Sequence, residues 1–104
     1  MWVVSGTSLS MAEGDWGVEL PVTVSGATFA ANDSLKIVIK NGETTIVEKE
    51  YTNITQNTVK LELTEAESAL LPIGVYVYRL DWYQDGAFMC NIIPVSTFKV
   101  VDKA

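Results

Sequence analysis

The chain has 104 residues, with thirteen Asp and Glu against seven Lys and Arg, a formal net charge of −6, a single cysteine and no histidine. That length accommodates one domain, 1–104, with enough chain to fold on an apolar core without a staple. Without histidine there can be no Ser-His-Asp triad and no His-ligated zinc; the lone Cys90 excludes an internal disulfide and a CxxC pair, and the acidity works against nucleic-acid or anionic lipid partners.

Residues Met1 to Ala12 have no basic n-region and their apolar run stops at Ser5. The expectation is neither a secretion signal nor a membrane span, but a soluble chain made in a reducing cytoplasm. Hydrophobic residues are 48 % and charged residues 19 %, against about 25 % charged in a typical domain. For a small domain, rich in surface, this suggests that some apolar surface is reserved for a partner.

Period-2 alternation runs through the chain and predicts strands. Leu9 and Met11 begin a short strand, broken by a turn at Glu13-Gly14-Asp15. From Trp16 to Ser25 the apolar residues Trp16, Val18, Leu20, Val22 and Val24 form one face, and Pro21, which has no N–H, places that strand at a sheet edge. Asp33-Ser34 opens a strand through Lys40, Asn41-Gly42 signals a hairpin, and the return strand covers Thr44 to Tyr51. Asn53 to Asn57 reads as a polar turn, and Val59, Leu61 and Leu63 form the next strand.

Thr64 to Glu67 is a capping box, in which the Thr64 hydroxyl caps the amide three residues on and Glu67 reaches back to the Thr64 amide. One or two helical turns follow, stopped by Pro72 and by a bend at Gly74. The longest strand is then Val75 to Gln84, with Tyr76, Tyr78, Leu80 and Trp82 on one face and Val75, Val77, Arg79, Asp81 and Tyr83 on the other. Asp85-Gly86 signals a second hairpin. Ala87 to Ile93 is apolar on both faces, Pro94 interrupts it, and Val95 to Val101 completes the sheet. Seven to eight antiparallel strands with one helical turn predict an all-β sandwich or barrel.

The candidate side chains for chemistry have simpler readings. Glu48/Glu50 and Glu65/Glu67 have the composition of a glycosidase acid and base, yet the first pair lies on a solvent face and the second is explained by capping and the helix dipole. The stretch Asp81 to Asp85-Gly86 is too poor in oxygen ligands for a calcium loop. Cys90, in an apolar strand, reads as a buried hydrophobe. Trp16 and Trp82 fall on core faces, while Trp2, Tyr51 and Tyr83 are candidates for exposure. Asn32-Asp33-Ser34 and Asn53-Ile54-Thr55 are glycosylation sequons that read as turn chemistry. No cofactor or metal is implied.

Two stretches resemble a family. Leu9 to Leu20, with Gly14-Asp15 between apolar runs, followed by Asp33 to Lys40, is similar to the opening of small immunoglobulin-like β-sandwich domains in bacteriophage and prophage tail or baseplate proteins. Leu63-Thr64 through Leu70-Leu71-Pro72, then Gly74, Tyr76 and Tyr78, is similar to their "LT…L…G-x-Y-x-Y" segment, and Phe98 to Val101 sits where they end on a short strand. Tyr76 stands where a tyrosine corner ties a connection to a strand in such sandwiches, and the Cys…Trp…Cys spacing of true immunoglobulin domains is missing. The structural positions so marked are Gly14, Asp15, Thr64, Glu67, Gly74 and Tyr76.

The resemblance implies a virion structural protein of a tail, baseplate, neck or capsid decoration, made in the host bacterial cytoplasm and contacting copies of itself or other virion proteins. The alternative is an immunoglobulin-like binding module for a glycan or a cell-surface protein; an enzyme ranks third, for want of histidine. The expected contact residues are Trp2, Val3 and Val4, which could extend a neighbour's sheet, and the outward row Val75, Val77 and Tyr83.

Overall fold

The alternating pattern is realised almost entirely as strands in a computed structural model, which describes residues 3–17, 20–24, 29–52, 54 and 58–102. The elements in order are β1 (Val3–Ser5), β2 (Ser8–Ala12), β3 (Leu20–Thr23), β4 (Asp33–Asn41), β5 (Thr44–Tyr51), β6 (Thr58–Leu61), α1 (Glu65–Ser68), β7 (Gly74–Gln84) and β8 (Ala87–Val101). Six strands form a sheet in the order β1-β2-β8-β7-β4-β5, and β3 pairs with β6 in a second.

Alternation decides which side of each strand is buried. Leu35, Ile37 and Ile39 of β4, Tyr76, Tyr78 and Leu80 of β7, and Phe98 and Val100 of β8 line one wall of the core. Val59 and Leu61 of β6 close it from the other side together with Leu63 and Leu71, and Leu20 and Val22 of β3 pack against it. The fold is therefore all-β, two sheets across one apolar core with a single helical turn.

One strand direction departs from expectation. β2 runs parallel to β8, from Leu9 opposite Phe98 to Ala12 opposite Val101, while every other pairing among the described residues is antiparallel. Side-chain alternation is the same in both kinds of ladder, so a pattern of apolar residues is silent on direction.

Three two-residue hairpin turns occur where two are signalled. Asp85-Gly86 joins β7 to β8 with both residues at positive φ, 49° and 80°, the type I′ requirement that makes Asp-Gly a hairpin signal. The β4–β5 turn falls one residue later than Asn41-Gly42 suggests. Asn41 pairs with Thr44, and Gly42 takes the first turn position at φ 62°, the glycine-first pattern of type II′. The third turn, Gly6-Thr7 between β1 and β2, has the same pattern, with Gly6 at φ 61°.

The capping box forms as spaced: the Glu67 amide donates to Thr64 Oγ1 at 3.2 Å and the Thr64 amide to Glu67 Oε1 at 2.8 Å. The helix is one turn long, and the bend after it falls at Ile73. Gly74 does not supply it: this residue opens β7 without positive φ, and a Cβ there would meet the Tyr76 ring at an ordinary 3.7 Å. Gly14, by contrast, takes φ 85° in the turn after β2, where the Asp15 amide donates to the Ala12 carbonyl at 3.1 Å.

Two strand expectations change. The run from Trp16 to Ser25 is a strand only over Leu20–Thr23, and Trp16 is 54 % exposed rather than on a core face. Gly17 at φ 75° breaks the alternation between them. The longest strand is β8, which continues through Pro94 instead of stopping there. Its pairing with β7 shifts three times, around Arg79, between Leu80 and Asp81, and between Trp82 and Tyr83. At each shift β8 carries one extra residue, and Pro94 lies in the first bulge, where a missing N–H leaves no gap in the ladder.

Candidate interaction surface

The outward side of β7 holds a buried carboxylate with two side-chain partners. Asp81 faces away from the second sheet yet is 1 % exposed. Its carboxylate accepts Arg79 Nε at 2.8 Å and Asn91 Nδ2 at 2.5 Å, so both oxygens are occupied. Beside it in register, Lys36 on β4 places Nζ 4.6 Å from the centre of the Tyr83 ring and 3.6 Å from Glu48. The Tyr83 ring meets Phe88 edge-on at 5.8 Å. This cluster ties β8 to β7 through its bulges.

The expected contact row therefore divides. Val75 is 65 % exposed, while Val77 and Tyr83 are half-buried. Val3 and Val4 pair with Ser10 and Leu9 of the same chain, forming the sheet's own edge rather than reaching for a neighbour's; Trp2 lies outside the described residues, as do Asn53 and most of the polar turn after it. Tyr51, expected at the surface, packs partly buried against the core.

The acidic pairs also separate. Glu48 and Glu50 are exposed on β5. Burial pushes Glu67 up, but the Thr64 amide and Lys49, whose Nζ stands 3.1 Å away, outweigh it and leave Glu67 below the ordinary glutamate value. Burial, helped by the Glu13 charge, raises Tyr76, and burial raises Tyr78. Both phenols stay protonated donors: Tyr76 gives its hydrogen to the Pro72 carbonyl at 2.6 Å, four residues upstream, and Tyr78 to the Thr7 carbonyl.

Three of the seven large hydrophobic residues exposed among the described residues, Phe88, Met89 and Val95, lie on β8; the others are Trp16, Leu70, Ile73 and Val75. β2 pairs with β8 only from Phe98 to Val101, and a 2.8 Å bond from Ser96 Oγ to Thr7 Oγ1 marks where the β1–β2 turn stops. From Ala87 to Val95 the side of β8 away from β7 has no strand beside it among the described residues. Phe88, Met89 and Val95 are 55, 49 and 65 % exposed. Cys90, expected inside, is exposed as well, although its register partner is Trp82, on the inward row of β7. Covering a side chain such as Phe88 or Met89 is worth up to about 1.5–3 kcal/mol. An apolar cleft of about 220 Å³, lined by Thr7, Leu9, Leu20, Val22 and Ile93 among others, opens beside this edge between the two sheets.

A second, polar hollow of about 470 Å³ lies by the β7–β8 turn, lined by Asn32, Asp33, Glu50 and Asp85 among others. Asp33 is buried and closes the turn before β4 by accepting the Ala30 amide at 2.8 Å. Among the described residues no group of three His, Cys, Asp or Glu is placed to hold a metal ion, and no helix is long and apolar enough to cross a membrane.

Sequence reasoning missed the Asp81 cluster. Its signal was the opposite charge of Arg79 and Asp81 two residues apart, hence on one side of a strand; Asn91 could not be added because the bulges move it. No family model, curated protein or solved structure matches the chain.

Proposed function

We propose that this chain is a non-enzymatic assembly module, an immunoglobulin-like domain that works through protein–protein contacts as a structural part of a bacteriophage or prophage particle. The observation that carries the assembly reading is the exposed, uncovered stretch of β8 holding Phe88, Met89 and Val95. Exposed apolar residues such as the adjacent Phe88 and Met89, on a stretch without charge, are the kind of surface a partner covers.

The immunoglobulin-like part rests on topology. The neighbours β8-β7-β4 face the pair β3–β6, and a tyrosine at the start of β7 bonds back to the connection before it, the arrangement of such sandwiches. The viral part rests on the Gly14-Asp15 and Gly74 to Tyr78 resemblances. Mass spectrometry of purified particles, with electron microscopy using an antibody to this chain, tests it. Stoichiometric recovery in tails, baseplates, necks or capsids is expected; its absence from particles made by cells that produce the chain overturns the reading.

The polar hollow by the β7–β8 turn favours one other function, a glycan- or cell-surface-binding module, since Asn32, Glu50 and Asp85 offer hydrogen-bonding groups to hydroxyls there. A glycan array probed with the intact chain separates the two: binding that Asp85→Ala abolishes supports the module, and no binding removes it.

A further inference from the structure

We infer that the open edge of β8 is a homodimer interface, at which a second copy of this chain pairs its own β8 antiparallel across a two-fold axis near Cys90, joining the two six-stranded sheets into one. This rests on the assembly reading and names its partner.

Three features select this partner. First, the edge of β8 from Ala87 to Val95, beside which no described strand lies, runs opposite Arg79 to Gln84 of β7 and so offers about 20 Å of strand at about 3.3 Å per residue, ending where the β1–β2 turn reaches Ser96. Pro94 has no N–H to donate, so a pairing strand finds donors from Ala87 to Ile93, whose midpoint is Cys90. The edge of a strand is complementary to itself under a two-fold rotation, because antiparallel partners exchange the same backbone groups.

Second, the chain has a net charge of −6, yet Ala87 to Phe98 contains no charged residue. Two copies repel each other over most of their surface and meet no like charge here. The opposite edge of the same sheet, β5, shows Glu48 and Glu50 with Lys49, the kind of charged edge that resists strand pairing.

Third, the bulges at Met89 and Ile92 bend β8 and keep the new ladder short. A short, bent, two-fold ladder uses up the edge on one partner and closes, instead of growing into a fibre.

The test is sedimentation equilibrium of the intact chain, followed by charge substitutions near the axis. The wild type is expected at twice its 11.4 kDa mass. Met89→Lys and Met89→Glu each place like charges across the axis, because one substitution in a two-fold interface acts twice, and each chain alone is expected to be monomeric with unchanged thermal unfolding. Mixed in equal amounts they are expected to pair again. Val75→Lys, on the sheet face away from this edge, is expected to leave the dimer intact. Should the Met89 variants not fold, a short bis-maleimide is expected to cross-link Cys90 to Cys90 in the wild type.

A monomeric wild type, a dimer that survives Met89→Lys, no recovery on mixing, or no Cys90 cross-link overturns the inference. A monomer found stoichiometrically in particles overturns the β8 interface and leaves the assembly reading standing. A β8 dimer absent from particles does the reverse.

Discussion

The two hairpins β4–β5 and β7–β8 lie side by side in one sheet and obey different rules. β4–β5 has one irregularity, near Lys40, and ends the sheet on a strand studded with Glu48, Lys49 and Glu50. β7–β8 has three irregularities, holds a buried Asp81 on its outer side, and leaves Phe88, Met89 and Cys90 exposed on an edge without charge. A regular ladder lets polar residues face water at every second position. A bulged one turns successive residues to unplanned sides, which costs regularity and creates a surface. The first hairpin is built to be left alone, the second to be covered.

The largest effects come from the core the hairpins share. Ile37→Ala on β4 and Leu80→Ala on β7 each remove a side chain that is 2 % exposed or less, and each is expected to cost about 2–5 kcal/mol in urea unfolding. A marked inequality would show that one hairpin folds independently of the other. Next, Asp81→Ala acts on β7–β8 alone: it leaves the half-buried Arg79 and the Asn91 amide without their acceptor, an expected loss of about 1–3 kcal/mol. Chemical-shift changes confined to β7 and β8 would confirm that the cluster pins the bulges; an equal disturbance of β5 would dissolve the contrast.

Smaller changes sharpen the other hairpin. Lys49 of β5 ties that strand to the connection around α1, through the Glu62 carbonyl at 2.8 Å and Glu67 at 3.1 Å. Thr64→Ala is expected to cost about 1 kcal/mol by loss of the cap. Because Glu67 sits lower in the folded protein than in the unfolded chain, its contribution is present above the unfolded value and is lost as pH falls through the folded one. Glu67→Gln should therefore flatten the acid limb of a stability–pH curve, below the ordinary glutamate range, and an unchanged limb would contradict the pairing. Smallest of all, Gly42→Ala and Gly86→Ala force positive φ on a residue with a Cβ, at about 1 kcal/mol each in thermal unfolding.

The same contrast explains what could be read from residues alone. The return strand Thr44 to Tyr51, the Thr64–Glu67 capping box, the Asp85-Gly86 turn and the inward row Tyr76, Tyr78 and Leu80 were all legible, because each depends on local spacing. Bulges are not local in that sense: whether β8 carries an extra residue depends on what β7 places opposite it. Asn91 was therefore not connected to Asp81, which stands on the expected outward side of β7 but is buried there, while Cys90, read as buried, is exposed. Trp16, read on a core face, is exposed for a different reason, since Gly17 at positive φ ends the alternation there. The parallel direction of β2 leaves no trace in periodicity. The surface now proposed for assembly was legible as composition, an uncharged apolar run, but its open edge required the sheet order.

Amide hydrogen exchange at two protein concentrations tests the contrast between the two edges most directly. If β8 is the edge made to be covered, amides within Ala87 to Ile93 that point away from β7 gain protection as concentration rises, while those on the outer side of β5 exchange at the same rate throughout. Protection of β8 that does not change with concentration, or that rises equally on β5, would contradict the account.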